Sequence, residues 1–148
     1  MIDFNLSEEQ KLLKQTARNF AKNELLEGVI DRDQNKIWPR EQIKKMSDLG
    51  LLGMMADPKW NGGGMDTISY SIAMEEISAV DASAAVVMSV NNSLVCYLIE
   101  HFGNDFQKDK YLSKLTIGQN IGAFSLSEPQ SGSDASNMIT TAIKKNDY

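Results

Sequence analysis

Cysteine and histidine are nearly missing: the 148 residues hold one of each, Cys96 and His101. A lone thiol excludes an internal disulfide framework and a CxxC metal site, and a lone imidazole leaves no histidine-based metal centre. Cationic excess is missing too. Fifteen Lys and Arg face 20 Asp and Glu, net −5, and the basic side chains are scattered. Bulk charge therefore does not direct the chain to nucleic acid or insert it in an anionic membrane, although a local basic pocket for an anionic ligand stays compatible. No stretch approaches the ~20 apolar residues of a transmembrane helix. The start, Met1-Ile-Asp-Phe-Asn-Leu-Ser-Glu-Glu, carries acid where a signal peptide needs basic residues and an apolar run, and it lacks the Arg-rich look of a transit peptide. The expectation is a soluble protein in a reducing compartment, most simply a bacterial cytoplasm.

What is present reads as globular: 42% apolar and 24% charged residues, long enough for one domain with a hydrophobic core. Residues 1–120 read as an all-α domain. Ser7 and Gln10 form a capping box, and Leu13, Ala17, Phe20 and Ala21 then share one helical face, in a helix that runs on to about Ile30 with Gly28 as a weak point. Asp31 to Trp38 is polar and predicts a loop before Pro39. The next helix holds Ile43, Met46 and Leu49 on one side and stops at Gly50. Leu51 to Met65 is a break. Asp66 or Thr67 starts a helix to about Ala79. Asp81 caps another, Ala82 to Val90, apolar on nearly all sides and so expected deep in a bundle. Leu94 to Phe102 follows, and then an amphipathic helix with Phe106, Tyr111, Leu112 and Leu115.

After Gly118 the character changes. Ile121 to Ser127 predicts a strand, Glu128 to Asn137 a polar loop, Met138 to Ile143 a second β-prone run and Lys144 to Tyr148 a turn. Two strands cannot bury a sheet face alone. Residues 121–148 therefore read as the incomplete start of a β domain.

Most chemistry-bearing residue types have plain structural readings. Gly62-Gly63-Gly64 lacks the Lys-Ser/Thr of a phosphate loop and the spacing of a dinucleotide fingerprint, and reads as a flexible turn. Glu75 and Glu76 point ~100° apart on a helix, which suits a solvated face or one ion pair, not an acid/base pair. His101 suits a helix C-terminus, and Cys96 and the methionines suit a core. Asn91-Asn92-Ser93 has two readings: a helix break with an N-cap, or the lining of a ligand channel. Phe124-Ser-Leu-Ser-Glu-Pro-Gln-Ser-Gly-Ser-Asp134 offers hydroxyls and turn N–H groups able to meet an anion or a carbonyl-rich ring, or serves as an ordinary surface loop.

Gly122-Ala-Phe-Ser-Leu-Ser-Glu-Pro-Gln-Ser-Gly-Ser-Asp-Ala135 resembles the first signature of the acyl-CoA dehydrogenases. Four further stretches agree in the family's order: Leu6-Ser-Glu-Glu-Gln10; Leu49-Gly-Leu-Leu-Gly53 with Trp60-Asn-Gly-Gly-Gly-Met-Asp66; Glu75-Glu-Ile-Ser-Ala-Val-Asp-Ala82; and Met88-Ser-Val-Asn-Asn-Ser-Leu94, which resembles the short-chain, butyryl-type branch. The resemblance implies a helical N-terminal domain, a central β domain and a C-terminal four-helix domain. It implies FAD, oxidation of acyl-CoA to trans-2-enoyl-CoA with a glutamate as general base, electron-transferring flavoprotein as acceptor, and a homo-oligomer. By position, Phe124, Ser125, Leu126, Ser127, Gly132 and Ser133 fall on the first flavin-binding segment. Ser133 would contact both FAD and acyl-CoA, and Val90 and Leu94 would lie near the acyl end of the pocket. Ser127 stands where the family commonly has threonine, with the hydroxyl kept. Family members are more than twice as long, and neither their second flavin segment nor their catalytic glutamate has a counterpart here. No carboxylate of this chain, Glu128 included, takes that role. The expectation is an N-terminal portion of a short-chain enzyme, inactive by itself. The alternative is a free-standing helical binding module.

Overall fold

The structure, a computed structural model, describes residues 5–145. The first four residues, which carry part of the leader argument, and the last three of the turn expected at 144–148 lie outside them.

The capping box forms as the sequence predicts. Ser7 Oγ accepts the Gln10 N–H at 3.1 Å, and Gln10 Oε1 accepts the Ser7 N–H at 3.0 Å. It opens α1, Glu8–Phe20, which runs on through a π turn, Ala21–Leu25. Ala17, Phe20, Ala21 and Leu25 face the core. Gly28, at φ 73°, ends this helix. The next residues are not the loop their polarity predicts but a short helix, α2, Val29–Gln34. Arg32 explains the difference, because its guanidinium donates back to the Leu25 and Glu27 carbonyls at 2.5 and 2.8 Å and pairs with Asp81 at 3.0 Å. A tertiary anchor, which local composition does not reveal, holds the segment helical.

Helix α3, Arg40–Asp48, buries Ile43 and Met46. Leu49 was expected beside them but is half exposed, since the helix ends before it and Leu51 and Leu52 enter the core instead. Residues 51–65 are a break in the helices, as expected, yet they are not loose. Leu51, Leu52, Met54 and Ala56 are buried, and the glycine run is backbone-paired: Gly63, Gly64 and Met65 donate to the carbonyls of Gly53, Ala56 and Met54 at 2.8, 2.9 and 2.8 Å. The expected flexible turn is a close backbone crossing.

Asp66 caps α4, Thr67–Ser78, by accepting the Ser69 N–H at 2.7 Å. Helices α1 and α4 pack together and share an ion pair. Arg18 Nε and Nη2 reach the two carboxylate oxygens of buried Glu76 at 2.8 Å each, with Lys14 at 3.6 Å. The Arg18 hydrogen bond, ahead of the opposing effect of burial, holds the Glu76 carboxyl below the usual carboxylate range. Glu75 faces solvent.

Asp81 caps α5, Ala82–Ser89, which continues through a second π turn, Val90–Cys96, into α6, Tyr97–Phe102. The 21 residues form one helix, long and apolar enough by length and composition to cross a membrane. The sequence reading missed this because Asn91-Asn92-Ser93 suggested a break. The helix survives because both amides make tertiary hydrogen bonds, Asn91 to the Leu52 carbonyl and Asn92 to the Leu51 carbonyl, and Ser93 Oγ donates to the Ser89 carbonyl one turn back at 2.7 Å. Its face toward the bundle carries Ala84, Ala85, Met88 and Cys96. Val86 is 60% exposed, so the helix is not sunk on all sides as its composition suggested. Helix α7, Asp105–Gln107, a π turn, Lys108–Leu112, and α8, Ser113–Thr116, follow, burying Leu112, Leu115 and Thr116.

Residues 119–145 form no strand among the described residues. Glu128 and Ser131 make a single antiparallel bridge, and Ala135–Asn137 a 3₁₀ turn. The strands expected at Ile121–Ser127 and Met138–Ile143 are a correction. A strand exists through its ladder, and these two runs do not pair with each other, because the N–H groups of Ile139 and Thr140 go to the Glu128 carboxylate.

Candidate functional site

The segment from Gly122 to Ala135 leaves the helical bundle at a fixed point. The Gly122 N–H donates to Asn91 Oδ1 at 2.8 Å, and a Cβ on Gly122 would lie 2.7 Å from the Val95 side chain. Glycine is required here by close approach to the helix. From there the chain is irregular and exposed. Phe124 and Leu126 are 41% and 44% accessible, and Ser125 and Ser127 are exposed. Among the described residues, the hydroxyls of Ser125, Ser127 and Ser133 and the backbone N–H groups of Phe124 to Ser127 have no hydrogen-bond partner.

The turn that follows is by contrast held by its own hydrogen bonds. Glu128 and Ser131 exchange backbone hydrogen bonds at 3.0 Å around Pro129-Gln130. Ser131 is buried and its Oγ donates to the Asp134 carbonyl at 2.6 Å. The Glu128 carboxylate accepts the N–H groups of Ile139 at 2.9 Å and Thr140 at 3.1 Å, and Gln130 Nε2 at 2.5 Å. Hydrogen bonding from Thr140, then from Ile139, pushes the Glu128 carboxyl down to about 2. Its folded pKa lies below its ordinary value, so the clamp is complete above that ordinary value and is lost as pH falls through about 2. An NMR titration of the Ile139 and Thr140 amide shifts should therefore show a midpoint near 2. A midpoint in the ordinary carboxylate range would rule the clamp out.

Gly132 has neither a left-handed φ nor a neighbour: a Cβ there meets nothing within 4 Å. Neither fold nor packing asks for glycine at this position, and the space beside it is open.

Val90 is half-buried and Leu94 is 37% exposed, one turn apart on the long helix. The hydrogen bond from Gly122 to Asn91 is what joins this helix to the segment; the hydroxyls of Ser127 and Ser133 make no hydrogen bond to it among the described residues. Asn91 and Asn92 neither break the helix nor line a channel with free amides, because both are buried and paired. His101 Nδ1 meets the Tyr97 carbonyl at 2.9 Å and its ring stacks on Tyr97, which fits the helix-end reading. Burial pushes the Cys96 thiol up to about 12, a core residue and not a nucleophile. No cluster of three or more His, Cys, Asp or Glu suited to a metal occurs among the described residues.

A signature loop locked at its base, with free hydroxyls and a glycine open to a ligand, sits at the exit of a helical bundle. The family profile described as acyl-CoA dehydrogenase, N-terminal domain, matches residues 7–119. The chain belongs to the acyl-CoA dehydrogenase family. It is 45% identical to the mitochondrial short-chain specific acyl-CoA dehydrogenase of Rattus norvegicus over 142 residues, 96% of this chain and 34% of the rat protein. The butyryl-CoA dehydrogenase structure of Megasphaera elsdenii superposes with a TM-score of 0.89 at 37% identity, covering 99% of this chain and 39% of that one. An acyl-CoA dehydrogenase from Bacillus anthracis, complexed with FAD, superposes with a TM-score of 0.85 at 30% identity, covering 93% and 24%. The chain thus spans about a third of the length of the curated relative.

Acyl-CoA dehydrogenases use FAD, and the loop's chemistry fits an isoalloxazine edge. Unpaired N–H and hydroxyl donors suit ring carbonyls and nitrogens, and apolar Phe124 and Leu126 suit the ring's face. Sequence reasoning singled out these residues through the signature and missed the contacts that hold the loop. Asn91 and Gly122 had a visible cue, an amide pair inside an apolar run and a glycine opening the signature segment. The burial of Ser131 and the clamp by Glu128 had none.

Proposed function

We propose that this chain forms the helical wall and the first flavin-side segment of an FAD-dependent dehydrogenase that introduces an α,β double bond into short-chain acyl-CoA thioesters. Bound FAD supplies the acceptor for the β-hydride. The protein's own part here is placement. Ser127 and the backbone N–H groups at 124–127 would hydrogen-bond the ring, Phe124, Ser125 and Leu126 would line it, Gly132 would let it approach, and Ser133 would serve both FAD and acyl-CoA. Val90 and Leu94 bound the acyl chain, and their apolar character and the likeness to short-chain relatives support a short substrate. The observation that carries this reading is the Gly122–Ala135 turn, which is internally locked while its ligand-type donors point to no protein partner.

The division into residues 1–120 and an incomplete β portion at 121–148, a reducing cytoplasmic setting, electron transfer to an electron-transferring flavoprotein and assembly into a homo-oligomer belong to the same proposal. The 148 residues do not catalyse by themselves. Glu128, a carboxylate near the segment, is occupied by the amides of Ile139 and Thr140 and is no general base.

The test is flavin retention. The chain incubated with FAD and desalted should keep far less than one flavin per chain and should not oxidise butyryl-CoA with an artificial acceptor. Adding a second chain that supplies the remaining two thirds of a short-chain acyl-CoA dehydrogenase should restore both. Stoichiometric flavin on the chain alone would overturn the incompleteness, and failure of complementation with two folded halves would overturn the functional reading.

A further inference from the structure

Asn91 is fully buried inside a helix of small and apolar residues. A buried amide is costly unless its polar atoms are paired. All of them are. Nδ2 donates to the Leu52 carbonyl at 2.8 Å and to the Leu115 carbonyl at 3.1 Å, and Oδ1 accepts the Gly122 N–H at 2.8 Å. These partners lie 39, 24 and 31 residues away, so one side chain ties three remote segments to one helical turn.

The neighbouring Asn92 is built alike but serves the bundle alone, through the Met54 N–H and the carbonyls of Leu51 and Met88. Asn91 is the one that reaches the segment leaving the bundle. Val95, four residues on, closes against Gly122 from the same side. Val90 and Leu94 precede Asn91 and Val95 by one residue each and therefore form the adjacent stripe of the same helix.

We infer that Asn91 is a positioning residue. It fixes the depth and register at which the segment leaves the helix at Gly122, beside the stripe carrying Val90 and Leu94, and so sets the spacing between the flavin-side hydroxyls and the acyl-side wall. The terms flavin-side and acyl-side rest on the function proposed above; the anchoring does not. Asn91 itself touches neither ligand and acts through Gly122.

The experiment compares the isotope-labelled chain with Asn91→Leu, which removes every hydrogen bond, and Asn91→Asp, which keeps an acceptor toward Gly122. Amide exchange at Gly122 should speed up about tenfold in Asn91→Leu and stay near the native rate in Asn91→Asp. The Met54 amide, held by Asn92, should keep its protection in both. Equal acceleration of Gly122 and Met54 in both variants would mean a general loss of stability and would overturn the inference. If neither variant folds, the native chain decides. A scalar coupling across the hydrogen bond from the Gly122 nitrogen to the Asn91 side-chain carbonyl carbon is expected, and its absence overturns the inference. Flavin retention by the complemented chain is read separately. Lost complementation with an intact Gly122–Asn91 bond defeats the functional reading, whereas a missing bond with intact complementation defeats only this inference.

Discussion

Replacing Asp81 with alanine should lower folding stability by about 3–5 kcal/mol. Asp81 is 3% exposed and does two jobs. One oxygen accepts the Ala84 N–H at 2.9 Å and starts the longest helix, and the other accepts from Arg32 at 3.0 Å. Arg32 is itself mostly covered and, among the described residues, is otherwise bonded only to the carbonyls of Leu25 and Glu27. Alanine would leave a helix N–H unpaired and a guanidinium without its counter-charge in a half-closed site, and the second loss dominates. Asp81→Asn keeps a cap acceptor but loses both the charge and the oxygen that accepts from Arg32, so it should fall between the native chain and Asp81→Ala. Urea unfolding followed by circular dichroism measures both. A loss below about 1 kcal/mol for Asp81→Ala would show that water reaches Arg32 freely.

Gly62→Ala should cost about 3 kcal/mol. A Cβ at Gly62 would sit inside the carbonyl of Ala56. Neither strand of this crossing can yield cheaply, since the three following N–H groups are bonded to Gly53, Ala56 and Met54. Gly132→Ala is the matched contrast. Its Cβ points into open space, so its stability should change by less than about 0.5 kcal/mol. If the loop meets flavin as proposed, the same Gly132→Ala change should weaken flavin retention in the complemented protein. Thermal unfolding of the two variants side by side separates a glycine kept for the fold from one kept for a ligand.

The helices were legible because their signals are local. Ser7 with Gln10, Asp66, Asp81 and the terminating Gly50 act within one turn, and the structure uses each as read. The failures share a different cause. Helix α2 exists because Arg32 reaches Asp81 across 49 residues, and the long helix survives Asn91 and Asn92 because their partners lie tens of residues away. No window-based pattern carries such information. The strands at 121–127 and 138–143 failed for a related reason: β-propensity states a readiness to pair, and pairing is a property of two segments. The site was legible only as a signature. Its residues are proposed by resemblance, while the clamp by Glu128 and the anchor at Asn91 came from the fold.

The π turn at Val90–Cys96 acts as a one-residue insertion carried inside a helix. Each residue of an α-helix advances the helical phase by ~100°. In the wider π turn each residue advances less, so the extra residue is absorbed locally. Loss of one codon in this stretch would let the turn relax to α and leave Leu98 and Phe102 facing as they do now relative to Ala84 and Met88. The outer surface of the second half is thus buffered against a one-residue change in length here. Homologous chains that differ by one residue at this point would keep the same outer surface and differ only in the local widening.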